Sequence, residues 1–336
     1  MTDTGGRIIL AHGNGGRFMR DLVRDLFARH FANPHLDIAA DAARLPAADG
    51  ALVVTTDGFI VDPLEFPGGD IGSLAVHGTV NDLAVSGAMP RWLTLGFLIE
   101  EGFSIARLER IAASIGRAAL ACGVAVVSGD TKVVPRGQGG GLYITATGIG
   151  ERGNGAALGM AHISPGDCVL VNGTVGDHGT AVLLARQEFG LHGDLLSDTA
   201  SVLPYTRAAC GIAGLRFMRD PTRGGIATVA HEISQETGLR VVLEEAALPL
   251  RDQVRGVCEM LGYDPLYLAC EGRVVAVVDR AHAAALLELW RGLPGGARAA
   301  MIGRIGTGRA CVVLRTPLGG ERLLHELEDD PLPRIC

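Results

Sequence analysis

Four aspartates stand inside or at the ends of segments that are otherwise apolar. Asp57 closes the β-branched run ALVVTTDGFIV, Asp82 follows Asn81 in the middle of IGSLAVHGTVNDLAVSGA, Asp130 lies in SGDTK after an apolar strand, and Asp220 follows LRFM at the head of DPTRGG. An ionised carboxylate in apolar surroundings must be paired, hydrogen-bonded or bound to a cation, because its burial is otherwise costly. Taken singly, each acid also fits a helix cap or a turn, and Asp220 before Pro-Thr is well suited to capping. Taken together, they suit one shared cation. Ligands that are all oxygen favour Mg²⁺, which commonly bridges carboxylates to the phosphates of a nucleotide.

Two further charges are isolated among apolar neighbours. Lys132, two residues past Asp130, could neutralise a phosphoryl group, and Glu271 in ACEGR could have a raised pKa and act as a base. Structural ion pairs are the other reading of both. There is no G-x-x-x-x-G-K-[ST], and no G-x-G-x-x-G follows a strand. HGNGG, His12 to Gly16, instead precedes a helix expected from Phe18, and its glycines let successive N–H groups face an anion; a flexible coil is the alternative. The sequence ends PLPRIC, so Cys336 follows an arm whose two prolines disfavour helix and close packing. Twelve extended residues from His325 span up to about 40 Å.

The elements that must position these groups read as two α/β series. Strands are expected in ALVVTTDGFIV, RWLTLGFLIEE, VAVVSGDTKVV and GLYITATGIGE, with the first looking buried. Between them lie a helix capped by Asp70 and ended near Gly87, and an amphipathic helix from Ser104 to Gly123 with Leu108, Ile111, Ala112, Ile115 and Ala119 on one stripe. SPGDCVLVNGTVGDHG reads as a turn opening the second series. A helix near Asp177–Arg186, one opening at DPTRGG, the strand LRVVLEEA, a helix from Arg251 to Gly262 and the segment LYLACEGRVVAVVD follow. The expected divisions are a Gly-rich loop and helix at 1–40, a first domain at 41–155, a second at 160–318 and a mobile tail at 319–336.

Bulk properties narrow the classes. The 336 residues carry a net charge of −7, 48% hydrophobic and 20% charged residues, which fits a globular chain and argues against a nucleic-acid surface. No apolar stretch reaches the length of a membrane span, and no secretory leader is visible, so a cytoplasmic protein is expected. The seven cysteines form no C-x-x-C pair. Six sit in apolar periodic segments, and Cys336 alone stands apart.

TTDGFIVDPLEFPGGDIGSLAVHGTVNDLAVSGAMPRWL, SGDTKVV, DPTRGGIATVAHEIS, ACEGR and the terminal PRIC together resemble the HypE family of hydrogenase-maturation carbamoyl dehydratases. These belong with the ATP-using aminoimidazole ribonucleotide synthetases and selenophosphate synthetases. The likeness runs nearly end to end, with two local departures: HGNGG stands where HGSGG is expected, and His231 in VAHEIS where Asn is expected. It implies an α+β, two-domain aminoimidazole ribonucleotide synthetase-like fold, helices on mixed sheets, and a homodimer. It also implies the activity: a partner carbamoyltransferase (HypF) loads a carbamoyl group on Cys336, ATP drives its dehydration to a thiocyanate, and cyanide passes to an iron-carrying HypC–HypD complex. By the same resemblance Gly13, Asn14, Gly15, Gly16, Asp57, Asn81, Asp82, Asp130 and Thr131 bind ATP. Asp57, Asp82, Asp130 and Asp220 hold Mg²⁺, while Lys132 and Glu271 join Cys336 in catalysis.

Overall fold

The computed structural model describes residues 5–14, 16–40, 42–153, 158–186, 190–191 and 193–327, so Gly15 and Cys336 lie outside the described residues. The chain opens with a 3₁₀ turn, Leu10–Gly13, and a helical rod made of α1 (Arg17–Leu22), a π-helical stretch (Val23–Phe27) and α2 (Ala28–Phe31). The first domain then runs β1 (Ala51–Phe59), β2 (Glu65–Phe66), β3 (Gly69–Asp70), α3 (Ile71–Val85), β4 (Met89–Glu100), α4 (Ile105–Cys122), β5 (Ala125–Val134) and β6 (Leu142–Arg152). Four strands form a sheet in the order β1-β6-β4-β5, with only β4 and β5 parallel.

Local chemistry explains the helix ends. Asp70 accepts from the Ser73 N–H at 2.8 Å while Ser73 Oγ accepts from the Asp70 N–H at 3.0 Å, a reciprocal cap that starts α3. Gly123, at φ 69°, closes α4 in a left-handed conformation that other residues rarely adopt. All five residues of the expected α4 stripe are buried, and both helices cover one face of the sheet. Among the described residues the other face is bare. Leu52 and Val54 of β1 are 60% and 61% exposed, which corrects the expectation of a buried strand: alternation gives β1 one packed face and one open one.

The second domain contributes β7 (Cys168–Val171), α5 (Asp177–Ala185), α6 (Leu203–Cys210), β8 (Leu215–Arg219), α7 (Gly225–Thr237), β9 (Arg240–Glu244), α8 (Asp252–Leu261), β10 (Val275–Val278), α9 (Ala283–Arg291), β11 (Ala300–Gly306), β12 (Cys311–Arg315) and β13 (Glu321–Leu324). Its seven strands lie in the order β13-β12-β9-β11-β7-β10-β8. One face packs Ile226, Ala230 and Ile233 of α7 against Val241, Leu243 and Val275; the other holds Trp290, Leu286 and Tyr205 against Leu170 and Ala276. Residues expected as a turn contain β7, an inner strand with all four residues buried: CVLV is too short a run to stand out between glycines. Part of the tail expected from 319 is a strand, because β13 pairs with β12 and buries Leu324. A single core cluster joins Leu74 and Ile111 of the first domain to Val182, Val254 and Leu268 of the second, so the domains are docked. Among the described residues no helix is long and apolar enough to cross a membrane.

Candidate functional site

The domain joint carries an acidic pocket. β1 turns Thr55 and Asp57 toward α3, where Thr55 Oγ donates to Asp82 Oδ2 at 2.7 Å. Asp220 follows β8 directly, and the Cys270 N–H donates to the Pro221 carbonyl at 3.0 Å, which sets Glu271 beside it. Asp57, Gly58, Gly78, Asp82, Asp220 and Glu271 line a small pocket of about 60 Å³, with Thr222 and Arg223 on its wall. Asp220 and Glu271 are 8% and 3% exposed, and Glu271 Oε1 has no hydrogen-bond partner among the described residues.

Crowding of like charge shows in the proton affinities. Burial pushes the Asp57 carboxyl up to about 6, helped by the charge of Asp82 and a hydrogen bond with it. Asp220 is pushed up to about 7, by burial first and then by Asp82. Glu271 lies well above the usual carboxylate range, again by burial first and then by Asp220 and Asp198. Among the described residues no three of His, Cys, Asp and Glu converge closely enough to hold a metal alone. Repelling acids with only oxygen donors fit Mg²⁺ when phosphate oxygens complete its shell.

The expected set of four acids divides. Asp57 and Asp130 sit on the two edge strands of the first sheet, about 14 Å apart at ordinary strand spacing. The cross-strand register aligns Asp57, Ala146, Leu95 and Gly129, so Asp130 and Lys132 point to the opposite, bare face. There Lys132 Nζ pairs with Asp130 Oδ2 at 2.8 Å and holds the Asp130 carboxyl below its ordinary range. Asp130 is thus no part of the acidic pocket within one chain. Thr131, buried between, donates its N–H to Asp130 Oδ1 at 2.8 Å.

The glycine loop belongs to this second region. Its start is a packed 3₁₀ turn in which His12 is buried, and a Cβ on Gly13 would sit 2.5 Å from the Val133 nitrogen, so only glycine fits there. Asn14 ends that turn and Gly16 precedes α1. Beyond Arg17 opens a cavity of about 880 Å³ between the helical rod and β5, floored by Phe27, Phe97 and Val126 and walled by Asp130 and Thr131. Such a volume suits a nucleotide-sized ligand.

Asn81 points elsewhere. Its Nδ2 donates to the carbonyls of Ala200 and Glu271, both at 3.0 Å, and its Oδ1 accepts from the Val202 N–H at 2.8 Å. It is committed to the protein rather than to the pocket, which corrects its expected place among ATP ligands. Asp198, Arg273 and Asp177 form a buried charged scaffold behind Glu271 that the sequence does not announce; the one signal is Arg273 in the same ACEGR stretch. The end of the described chain also approaches: Tyr267 Oη donates to the His325 carbonyl at 2.6 Å and Gln235 Nε2 to Glu326 Oε2 at 2.7 Å. Leu327 then lies against Gly224, next to Arg223 of the acidic pocket.

Two docked α+β domains with an acidic pocket at their joint define the class, and family models agree. Residues 39–152 match the AIR synthase related protein N-terminal domain, and 164–314 its C-terminal domain. The carbamoyl dehydratase HypE of Rhodobacter capsulatus is 48% identical over 98% of both chains. A crystal structure of the hydrogenase maturation protein HypE in complex with ATP superposes with a TM-score of 0.93 at 46% identity, covering 98% of this chain and 99% of that one. HypE in a HypE–HypF complex gives 0.80 at 41% identity, covering 92% and 99%. The chain belongs to the HypE family of carbamoyl dehydratases, enzymes of hydrogenase maturation.

Proposed function

We propose that this protein uses ATP to dehydrate a carbamoyl group carried on its own Cys336, with the acidic pocket as the reaction site. The observation that carries the reading is the course of the chain end, pinned by Tyr267 and Gln235 and aimed along α7 toward Arg223. Nine residues, 328–336, remain beyond Leu327 and span up to about 30 Å when extended. That length suffices to bring a thiocarboxamide on Cys336 to Glu271, and a tether of this kind keeps the local substrate concentration in the millimolar range.

The chemistry needs ATP because an amide oxygen leaves poorly. The carboxamide oxygen of Cys336–S–C(O)NH₂ attacks the γ-phosphorus and ADP departs. The nitrogen then loses its two protons, one to Glu271 and one to the departing phosphate, while the C–O bond breaks, giving Cys336–S–C≡N and inorganic phosphate that carries the former carbonyl oxygen. Glu271 accepts the first proton from that nitrogen at Oε1, which has no partner among the described residues. Asp57, Asp82 and Asp220 would hold Mg²⁺, which supplies positive charge to the phosphoryl oxygens when bound.

The bare sheet face supports a homodimer. Leu52, Val54 and Leu98 lie exposed on it together with Asp130 and Lys132, an apolar surface that a second copy would cover. In that arrangement Gly13 to Gly16, Asp130, Thr131 and Lys132 meet the nucleotide at the joint between protomers, with Lys132 neutralising phosphoryl charge. HypF, as the loading carbamoyltransferase, and an iron-carrying HypC–HypD complex, as the cyanide acceptor, are the partners this chemistry calls for. Intact-mass measurement on chain carbamoylated at Cys336 tests the reading. ATP should remove the mass of one water, and Cys336→Ser should abolish the change; turnover of ATP on a free small molecule by the Cys336→Ser chain would contradict it.

A further inference from the structure

We infer that Asn81 is a positioning residue that fixes the backbone of Glu271, and with it the base, relative to the acids on α3 and β1. This rests on Glu271 being the base proposed above. Asn81 is 1% exposed and spends both Nδ2 hydrogens on carbonyls, one of them that of Glu271. Two carbonyl acceptors fix the orientation of the amide, because a flipped Oδ1 would face them unbonded. No donor remains for a ligand.

The other side of the same residue is held as firmly. The Glu271 N–H donates to Asp198 Oδ1 at 3.0 Å, and Asp198 is paired with Arg273 at 3.4 Å. Arg273 in turn donates to the Thr174 carbonyl at 2.7 Å and the Gly272 carbonyl at 3.0 Å. A Cβ at Gly272 would overlap the Asp198 carbonyl oxygen, so the loop cannot slide. Residue 271 is therefore gripped at its N–H by the second domain and at its C=O by the first. Among the described residues its Oε1 has no hydrogen-bond partner that could aim it. Because Asn81 precedes Asp82 on one helix, about 100° apart around it, the strut ties the base to the acids through a single turn of backbone.

A base displaced by about 1 Å can cost about a hundredfold in rate. Asn81→Ala in the full chain should therefore slow single-turnover dehydration roughly 10- to 100-fold, with ATP affinity unchanged within about twofold, and Asn81→Ser, which keeps one donor, should fall between. Glu271→Gln should lose about 10² to 10⁴. The double variant decides: if Asn81 acts through Glu271, Asn81→Ala adds almost nothing to the loss in a Glu271→Gln background. Losses that multiply, or an ATP affinity that falls with the rate preserved, overturn the positioning role while leaving the base in place. Full activity of Glu271→Gln would instead overturn the base itself. If the alanine chain fails to fold, the serine variant is carried through the same cycle.

Discussion

Replacing Asp220 by Asn should make the ligand-free protein more stable, even though it removes a site residue. Asp220 is buried, and its folded-state pKa of about 7 stands against 3.8 in the unfolded chain. The folded state thus holds a proton that the unfolded state has released between these values, so stability falls as pH rises through that window. The penalty is absent below pH 3.8 and complete above pH 7. At about 1.4 kcal/mol per unit, the full shift corresponds to about 4 kcal/mol, and sharing the repulsion with Asp82 makes about 2 to 4 kcal/mol the expected gain in Asp220→Asn at pH 8. For a chain of this size that is roughly 4 to 8 °C in Tm. Differential scanning calorimetry on wild type and variant from pH 5 to 8 measures it, and the gap should widen with pH. Added Mg²⁺ with ATP should close the gap by stabilising only the wild type. A variant that is less stable than wild type at pH 8, or a gap independent of pH, would refute the picture of mutually repelling acids waiting for a cation.

Val54→Glu places a charge in the middle of the bare sheet face and should weaken self-association by about 100-fold or more, seen by sedimentation equilibrium, with ATP turnover falling in step and recovering at high protein concentration; a monomeric wild type would remove its basis. Gly13→Ala should raise the KM for ATP about tenfold, because the added Cβ would lie 2.5 Å from the Val133 nitrogen and must displace the loop. Tyr267→Phe removes the bond to the His325 carbonyl, worth about 1 kcal/mol net, so amide exchange at 325–327 should rise about fivefold in hydrogen-exchange mass spectrometry, and dehydration on Cys336 should slow by a similar factor.

Several parts of this site are legible in the amino-acid sequence. Asp82 and Glu271 stand out because a charge inside an apolar run has few explanations, and the caps at Asp70 and Ser104 follow directly from side chains that satisfy open N–H groups. What Asn81 does is hidden for a physical reason. α3 is buried nearly all round and has no polar stripe, so periodicity does not say which of two adjacent polar residues faces the pocket and which faces the second domain. The separation of Asp130 from Asp57 is hidden by topology: strand order β1-β6-β4-β5 is not chain order, and alternation says only that neighbours on one strand face opposite ways. β7 escapes because four apolar residues between glycines match a turn as well as a strand, until pairing with β10 and β11 makes it an inner strand. The charged scaffold of Asp177, Asp198 and Arg273 joins segments 75 and 96 residues apart, and no local pattern reports such a contact.

The most direct test of the central claim follows one oxygen atom. Carbamoyl groups loaded on Cys336 with heavy oxygen at the carbonyl, then given ATP, should deliver that oxygen to inorganic phosphate, because the carboxamide oxygen leaves bonded to phosphorus. Heavy oxygen released as water, with unlabelled phosphate, would contradict phosphorylation of the tail as the step that makes the thiocyanate.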